Sequence, residues 1–185
     1  MYLILTAMLA LNVSKEAVEA FKKVDKSLTT TLANYVIKNN LIYSEFDRAA
    51  AENPTKAGKF KTTAYELKSR ADEVFNYIQD LKKEIIITAE GPETTAIQGD
   101  EIIIDEVKKI DENNVPSQIL IGANYNGKAS TLKALLNDYR EYLISTLDGK
   151  NPTAEEAIRI SLNTDDGRDP DGQPSKWETV TFHTL

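Results

Sequence analysis

A chain of 185 residues is long enough to bury a sizeable core in one domain, and 41% hydrophobic with 28% charged residues is the balance of a folded protein. A formal charge of −7 argues against non-specific binding to nucleic acid or to an anionic membrane surface, both of which need cationic patches. The absence of cysteine excludes disulfides, thiolate catalysis and zinc sites built on sulfur, and the single histidine, His183, sits two residues from the end, a poor place for a catalytic triad.

The chain opens "MYLILTAMLALNVSKEAVEAF". Residues 1–13 carry no charge, and from Ser14 onward charge appears abruptly. Three readings compete for this run. A core helix should show a polar face, which it lacks. A signal peptide needs a basic start and a small-residue cleavage site, and neither is present. A membrane span needs about 20 apolar residues, so thirteen suffice only as the end of a longer one.

Beyond Ser14, the residues Ala17, Phe21, Val24, Leu28, Thr31 and Tyr35 recur at steps of four and three, broadened by Leu32, Val36 and Ile37. This predicts an amphipathic helix from the start to about Arg48, its outer face carrying Lys15, Glu16, Glu19, Lys22, Lys23 and Lys26. No glycine or proline interrupts it before Pro54, and "ENPTKAG" is expected to be a turn. A second helix shows the cleanest period: Phe60, Ala64, Leu67, Ala71, Val74, Ile78, Leu81 and Ile85 form a heptad seam. That seam suits the chain's own core and a dimer surface equally well. Gly91-Pro92 ends it.

Residues 97–120 hold two isoleucine-rich runs that fit short strands, or a brief helix and an extended loop. A helix follows from Lys128 to Leu147, on the stripe Leu132, Leu135, Tyr139, Tyr142 and Thr146. Thr153 and Glu156 form a capping box that opens a short helix through Leu162. The remainder is turn-rich, then β-like or unstructured. The fold class expected is mainly all-α: an elongated helical bundle of long antiparallel helices with a few short extended segments.

Few motifs carry chemistry. "GRDPDGQPSKWE" resembles a calcium loop, with Asp169, Asp171 and Glu178 at ligand positions, but Gly167 stands where the first carboxylate belongs and Pro170 stiffens the loop. The alternative is a surface turn, beside which Asp165, Asp166 and Asp169 could bind calcium weakly. There is no dinucleotide-binding glycine motif; "GANYNGKAST" has a phosphate-loop gap but Ala129 where serine or threonine is needed. No carboxylate pair is marked out for acid–base work, so neither enzyme activity nor a cofactor is expected.

The opening segment, "NYIQDLK" at residues 76–82, "VPSQILIG" at 115–122, "YREYL" at 139–143 and "WETVTF" at 177–182 together resemble the GldM/PorM family of the gliding-motility and type IX secretion machinery of Bacteroidota. The resemblance implies a single-pass inner-membrane protein, dimeric, with its soluble part in the periplasm, working with a GldL-like membrane partner as a motor driven by the proton-motive force. On that reading residues 1–13 are the end of a transmembrane helix, with Tyr2, Leu5, Thr6 and Leu9 against lipid or a partner helix and Ser14 at the membrane exit. Residues 14–162 are then a periplasmic helical bundle, and 163–185 lead towards a further helix or domains that contact other periplasmic and outer-membrane components. The basic stretch that precedes the membrane run in the family is absent, and the family continues beyond "WETVTFHTL", so a fragment, a truncated gene or a short relative is expected. A membrane-anchored helical sensor or ligand-binding domain is the alternative function, and a calcium-binding adhesion module a third.

Overall fold

The computed structural model describes residues 2–110, 112–169 and 171–182, with side chains described from residue 16 to 179. Its six helices are α1 (Tyr2–Glu52), α2 (Pro54–Glu90), α3 (Asn114–Leu120), α4 (Lys128–Leu147), α5 (Pro152–Ser161) and α6 (Trp177–Phe182). Two hairpins complete it: β1 (Ile97–Gln98) with β2 (Glu101–Ile102), and β3 (Gly167–Arg168) with β4 (Pro174–Ser175), each pair antiparallel. The protein is mainly all-α, with two long antiparallel helices and only tiny strands, as the periodicities predict.

Helix α1 runs for 51 residues, about 75 Å at 1.5 Å per residue. It holds because no glycine or proline breaks the ladder, and the threonine run at its middle is accommodated locally. The Thr30 and Thr31 hydroxyls donate to the Lys26 and Ser27 carbonyls, each 2.9 Å away.

The expected turn "ENPTKAG" is in fact one residue. Asn53 leaves helical geometry (φ −145°, ψ 81°), and its side-chain oxygen accepts from the Lys56 N–H at 3.1 Å. Pro54 then occupies the first position of α2, where its missing N–H costs nothing and its fixed φ suits a helix. The same proline that stops α1 thus starts α2, and "TKAG" belongs to the second helix. Replacing Asn53 with alanine removes this cap and is expected to cost about 1 kcal/mol in urea unfolding, with the helices themselves retained by circular dichroism.

At its far end α2 stops at Gly91 (φ +99°), whose N–H donates to the Ile87 carbonyl at 2.8 Å. Glu90 fastens the segment that follows. Its carboxylate accepts from the Thr94 hydroxyl at 2.6 Å and from the backbone N–H groups of Lys108 and Lys109 at 2.5 and 2.8 Å. Partial burial pushes this carboxyl up, but those three donors outweigh it and hold it below the usual range.

The core lies where α2, α3 and α4 converge. Val74 and Leu81 of α2, Leu120 of α3 and Ala129 and Leu132 of α4 are buried together, and Tyr77, Ile78, Ile85, Leu135, Leu136 and Tyr139 pack around them. Ala129, fully buried, lets α4 approach α2 closely. The Tyr77 hydroxyl donates to the Lys128 carbonyl at 3.1 Å, and Lys128 also pairs with Glu84. At the other end of this antiparallel pair Tyr142 bonds Glu66 while the Arg70 guanidinium stacks 4.1 Å over the Tyr142 ring. The Val74–Leu81 seam therefore serves the intrachain core.

Two local expectations are corrected. The cap of α5 is Asn151, whose side chain accepts from the Ala154 N–H at 3.1 Å, with Pro152 first in the helix, so Thr153 lies inside it. "WETVTF" is helical, as α6. It follows β4 directly, and the Trp177 N–H donates to Asp166 at 3.1 Å, an acceptor that anchors its first turn. Between β2 and α3, residues 104–106 form a single 3₁₀ turn.

Candidate functional site

The calcium candidates do not converge. Asp169 is consumed by its own turn: its carboxylate accepts from the Gln173 N–H at 2.7 Å, its carbonyl from Gly172 at 2.9 Å, and its N–H donates to the Gln173 carbonyl. Asp171 is exposed in that turn. Glu178, buried at the start of α6, points instead to Lys133 of α4, its Oε2 lying 3.7 Å from the ammonium. Asp165 is exposed, and Asp166 accepts from Lys133 at 2.8 Å. Lys133 holds the Asp166 carboxyl below its ordinary range, aided by the Trp177 N–H, and the same contact raises Lys133. This cluster ties the second hairpin and α6 to α4. Among the described residues no group of three or more His, Asp or Glu side chains is placed to hold a metal ion. Pro170 and His183 lie outside the described residues.

The loop "GANYNG" joins α3 to α4 and follows no strand, so it is not a phosphate loop. Its Asn124 and Tyr125 both have positive φ (56° and 60°), and Lys176 sits 4.3 Å over the Tyr125 ring.

The feature that sets this molecule apart is α1. Among the described residues it is tied to the rest of the bundle in two places. Near its end the Tyr43 and Tyr65 rings lie 5.5 Å apart, the Tyr65 hydroxyl donates to Asp47 at 2.9 Å, and Lys61 pairs with Asp47 at 2.7 Å. Lys61, then Tyr65, hold the Asp47 carboxyl below its usual range. Some 20 residues earlier, Lys26 pairs at 2.5 Å with Asp105, just past the first hairpin. That hairpin is braced in turn by Lys83 of α2, which pairs with Asp100 at 2.9 Å.

Between these two supports every residue from 26 to 42 is exposed. A cleft of about 190 Å³ lined by Asn39, Ile42, Tyr43, Phe46, Ala64 and Leu67 marks where the two long helices begin to part. The stripe expected to be the inner face of an amphipathic helix is consequently uncovered. Nine large apolar side chains of α1, from Phe21 to Ile42, are between 51% and 73% exposed. The heptad spacing identified the stripe, but spacing says only that a face will be covered, not by what.

A second, more open concavity of about 580 Å³ is lined by Tyr65, Lys68, Ser69, Asp72, Glu73 and Asn76. All six belong to α2, so this is the side of one helix and not an enclosure for a small ligand.

Tyr2, Leu5, Thr6, Leu9 and Ser14 fall on the backbone of α1, and their side chains lie outside the described residues. Among the described residues no helix is long and apolar enough to cross a membrane.

Comparison with curated proteins returns no match. Against family models, residues 16–185 match that of the GldM N-terminal domain. The match covers almost the whole chain, and the chain belongs to the GldM N-terminal domain family, a component of the gliding-motility and type IX secretion machinery.

Proposed function

We propose that this chain is the membrane-proximal, non-enzymatic helical domain of a motor driven by the proton-motive force, passing motion from the inner membrane to periplasmic and outer-membrane components. Its helix α1 is the shaft. The apolar residues 1–13 are the outer end of a membrane helix held by a GldL-like partner, Ser14 marks the exit, and residues 14–162 form a periplasmic bundle that works as a homodimer. The segment 163–185 leads on towards further domains.

The observation that carries this reading is the continuity of α1. One backbone ladder runs from the apolar segment to the elbow at Asn53, where it is fixed to α2. A continuous ladder resists bending and twisting, because each residue is tied to the one four before it; a loop would dissipate the same displacement. The alternative of a ligand-binding sensor finds less support, since both concavities are open and one is lined by a single helix.

The test is to insert two glycines after Ser14 in the natural, membrane-anchored protein. Secretion and gliding are expected to be abolished at normal protein level, because two glycines interrupt the ladder and each costs about 1 kcal/mol in a helix. Insertion of seven helix-forming residues, which restores the register of the apolar stripe, is the control and should retain activity. Normal secretion by the glycine variant would overturn the shaft.

A further inference from the structure

We infer that the first hairpin is a removable wedge that holds α1 away from α2, and that α1 closes on α2, as a strap hinged at the Asn53 elbow, when the hairpin is displaced. This is a property of the fold and does not depend on what drives α1, which stays one continuous helix in both positions.

Spacing fixes the face that α2 covers on closure. Leu28, Leu32, Tyr35, Asn39, Ile42 and Phe46 follow at steps of four and three, so they share one line along α1. The last three line the cleft against Ala64 and Leu67 of α2, whereas Leu28, Leu32 and Tyr35 are between 51% and 58% exposed. On α2 the matching line runs through Ala64, Lys68, Ala71, Phe75 and Lys82, and Phe75 is 49% exposed and outside the core cluster. The two helices thus present apolar lines to each other that water still covers.

The elbow also sets the register. Tyr43 meets Tyr65 and Asp47 meets Lys61, so each step back along α1 is one step forward along α2. Carried outward, this register brings Leu32 beside Phe75 and the opposite charges Asp25 and Lys82 together, within one residue. In the open form it is their neighbours Lys26 and Lys83 that are paired, and not across the gap. Lys26 of α1 takes Asp105 at 2.5 Å and Lys83 of α2 takes Asp100 at 2.9 Å, so the segment 100–105 bridges the two helices at one level.

The roots of this segment are firm. Ala96 is fully buried, and Glu90 holds the Lys108 and Lys109 N–H groups. Its tip is not: residues 98–101 are exposed, as is Asp105, and ion pairs made by exposed carboxylates are weak and screened by salt. A segment with firm roots and a weakly held tip swings out without unfolding the bundle.

The chain has no cysteine, so a reporting pair can be introduced cleanly. In the 185-residue chain, kept in detergent, Leu32→Cys with Phe75→Cys reports closure as a disulfide within one chain, which needs Cα atoms within about 7 Å. Leu32→Cys with Glu73→Cys, on the opposite side of α2, should give none. Adding Asp100→Lys and Asp105→Lys repels the hairpin from both helices and should speed the first cross-link about fivefold or more. The neutral variant Asp100→Asn, Asp105→Asn should lie between. Salt at about 1 M should speed the cross-link in the parent pair but not in the charge-reversed one. Lys82→Glu, which sets two carboxylates together on closure, should take the gain away. A rate that neither hairpin variant changes, with helicity and melting retained, would overturn the wedge. Disulfides formed only between chains would overturn the strap.

Discussion

Replacing Leu81 with alanine is expected to cost about 3 kcal/mol of folding free energy. Leu81 is 1% exposed and stands at the meeting point of three helices, in contact with the cluster of Val74, Leu120, Ala129 and Leu132. Removing its isobutyl group forfeits the transfer term and leaves a void that α3 cannot readily collapse to fill, because this seven-residue helix is held at its start by Glu112, which accepts from the Asn114 and Val115 N–H groups, and at its end by the bond from the Gly127 N–H to the Ile121 carbonyl. Against a typical total of about 5–15 kcal/mol, that loss moves the urea midpoint substantially. The informative comparison is Phe60→Ala. Phe60 lies on the same heptad seam of α2, three heptads earlier, yet it is 55% exposed. Its truncation should change stability by no more than about 0.5 kcal/mol. If the two variants unfolded alike, the core would not lie among α2, α3 and α4.

That contrast shows how much a period can tell. The seam from Phe60 to Ile85 establishes a helix and a direction for its apolar face, and α4 begins and ends where its stripe does, at Lys128 and Leu147. Periodicity cannot say which part of a seam is covered, because coverage depends on what other segments of chain reach it. The buried part of the α2 seam that joins the cluster with α3 and α4 is Val74 and Leu81, whereas Phe60 is 55% exposed. The same limit explains α1, whose stripe is as regular as that of α2 and lies in the open.

Helix ends depend on finer chemistry. Asn53-Pro54 and Asn151-Pro152 are the same device, an asparagine cap with proline in the first turn, and each starts a helix earlier than apolar spacing suggests. Thr153 and Glu156 carry the right spacing for a capping box, but Asn151 is the better acceptor and lies first in the chain. "WETVTF" is expected to be β-like or unstructured; a first turn anchored on Asp166 makes it helical instead. The calcium resemblance failed to assemble because Asp169 spends its carboxylate on Gln173 and Glu178 faces a lysine, neither of which spacing reveals. The motif resemblance across the chain did carry the family, since such motifs record packing that composition does not.

Gly127→Ala is expected to cost about 3 kcal/mol, at the upper end of what a single added carbon inflicts on a packed interior. The backbone of Gly127 is extended (φ −74°, ψ −179°), which alanine adopts freely, so the cost is not conformational. It is a collision. A Cβ built there would lie 2.3 Å from the Leu120 carbonyl oxygen and 2.6 Å from the Ile121 carbonyl carbon. Both are main-chain atoms and cannot swing aside as a side chain would. Relief requires α4 to move away from α3. That breaks the 2.8 Å bond from the Gly127 N–H to the Ile121 carbonyl and draws Leu120 out of the core. Gly58→Ala is the matched control. This glycine is inside α2 with open space where a Cβ would project, so alanine should stabilise the protein by about 0.5–1 kcal/mol through its lower entropy in the unfolded chain. The same substitution is thus expected to have opposite signs at two sites, read as opposite displacements of the urea midpoint. A Gly127→Ala midpoint equal to that of the parent would mean that α3 and α4 do not approach each other as closely as their backbones indicate.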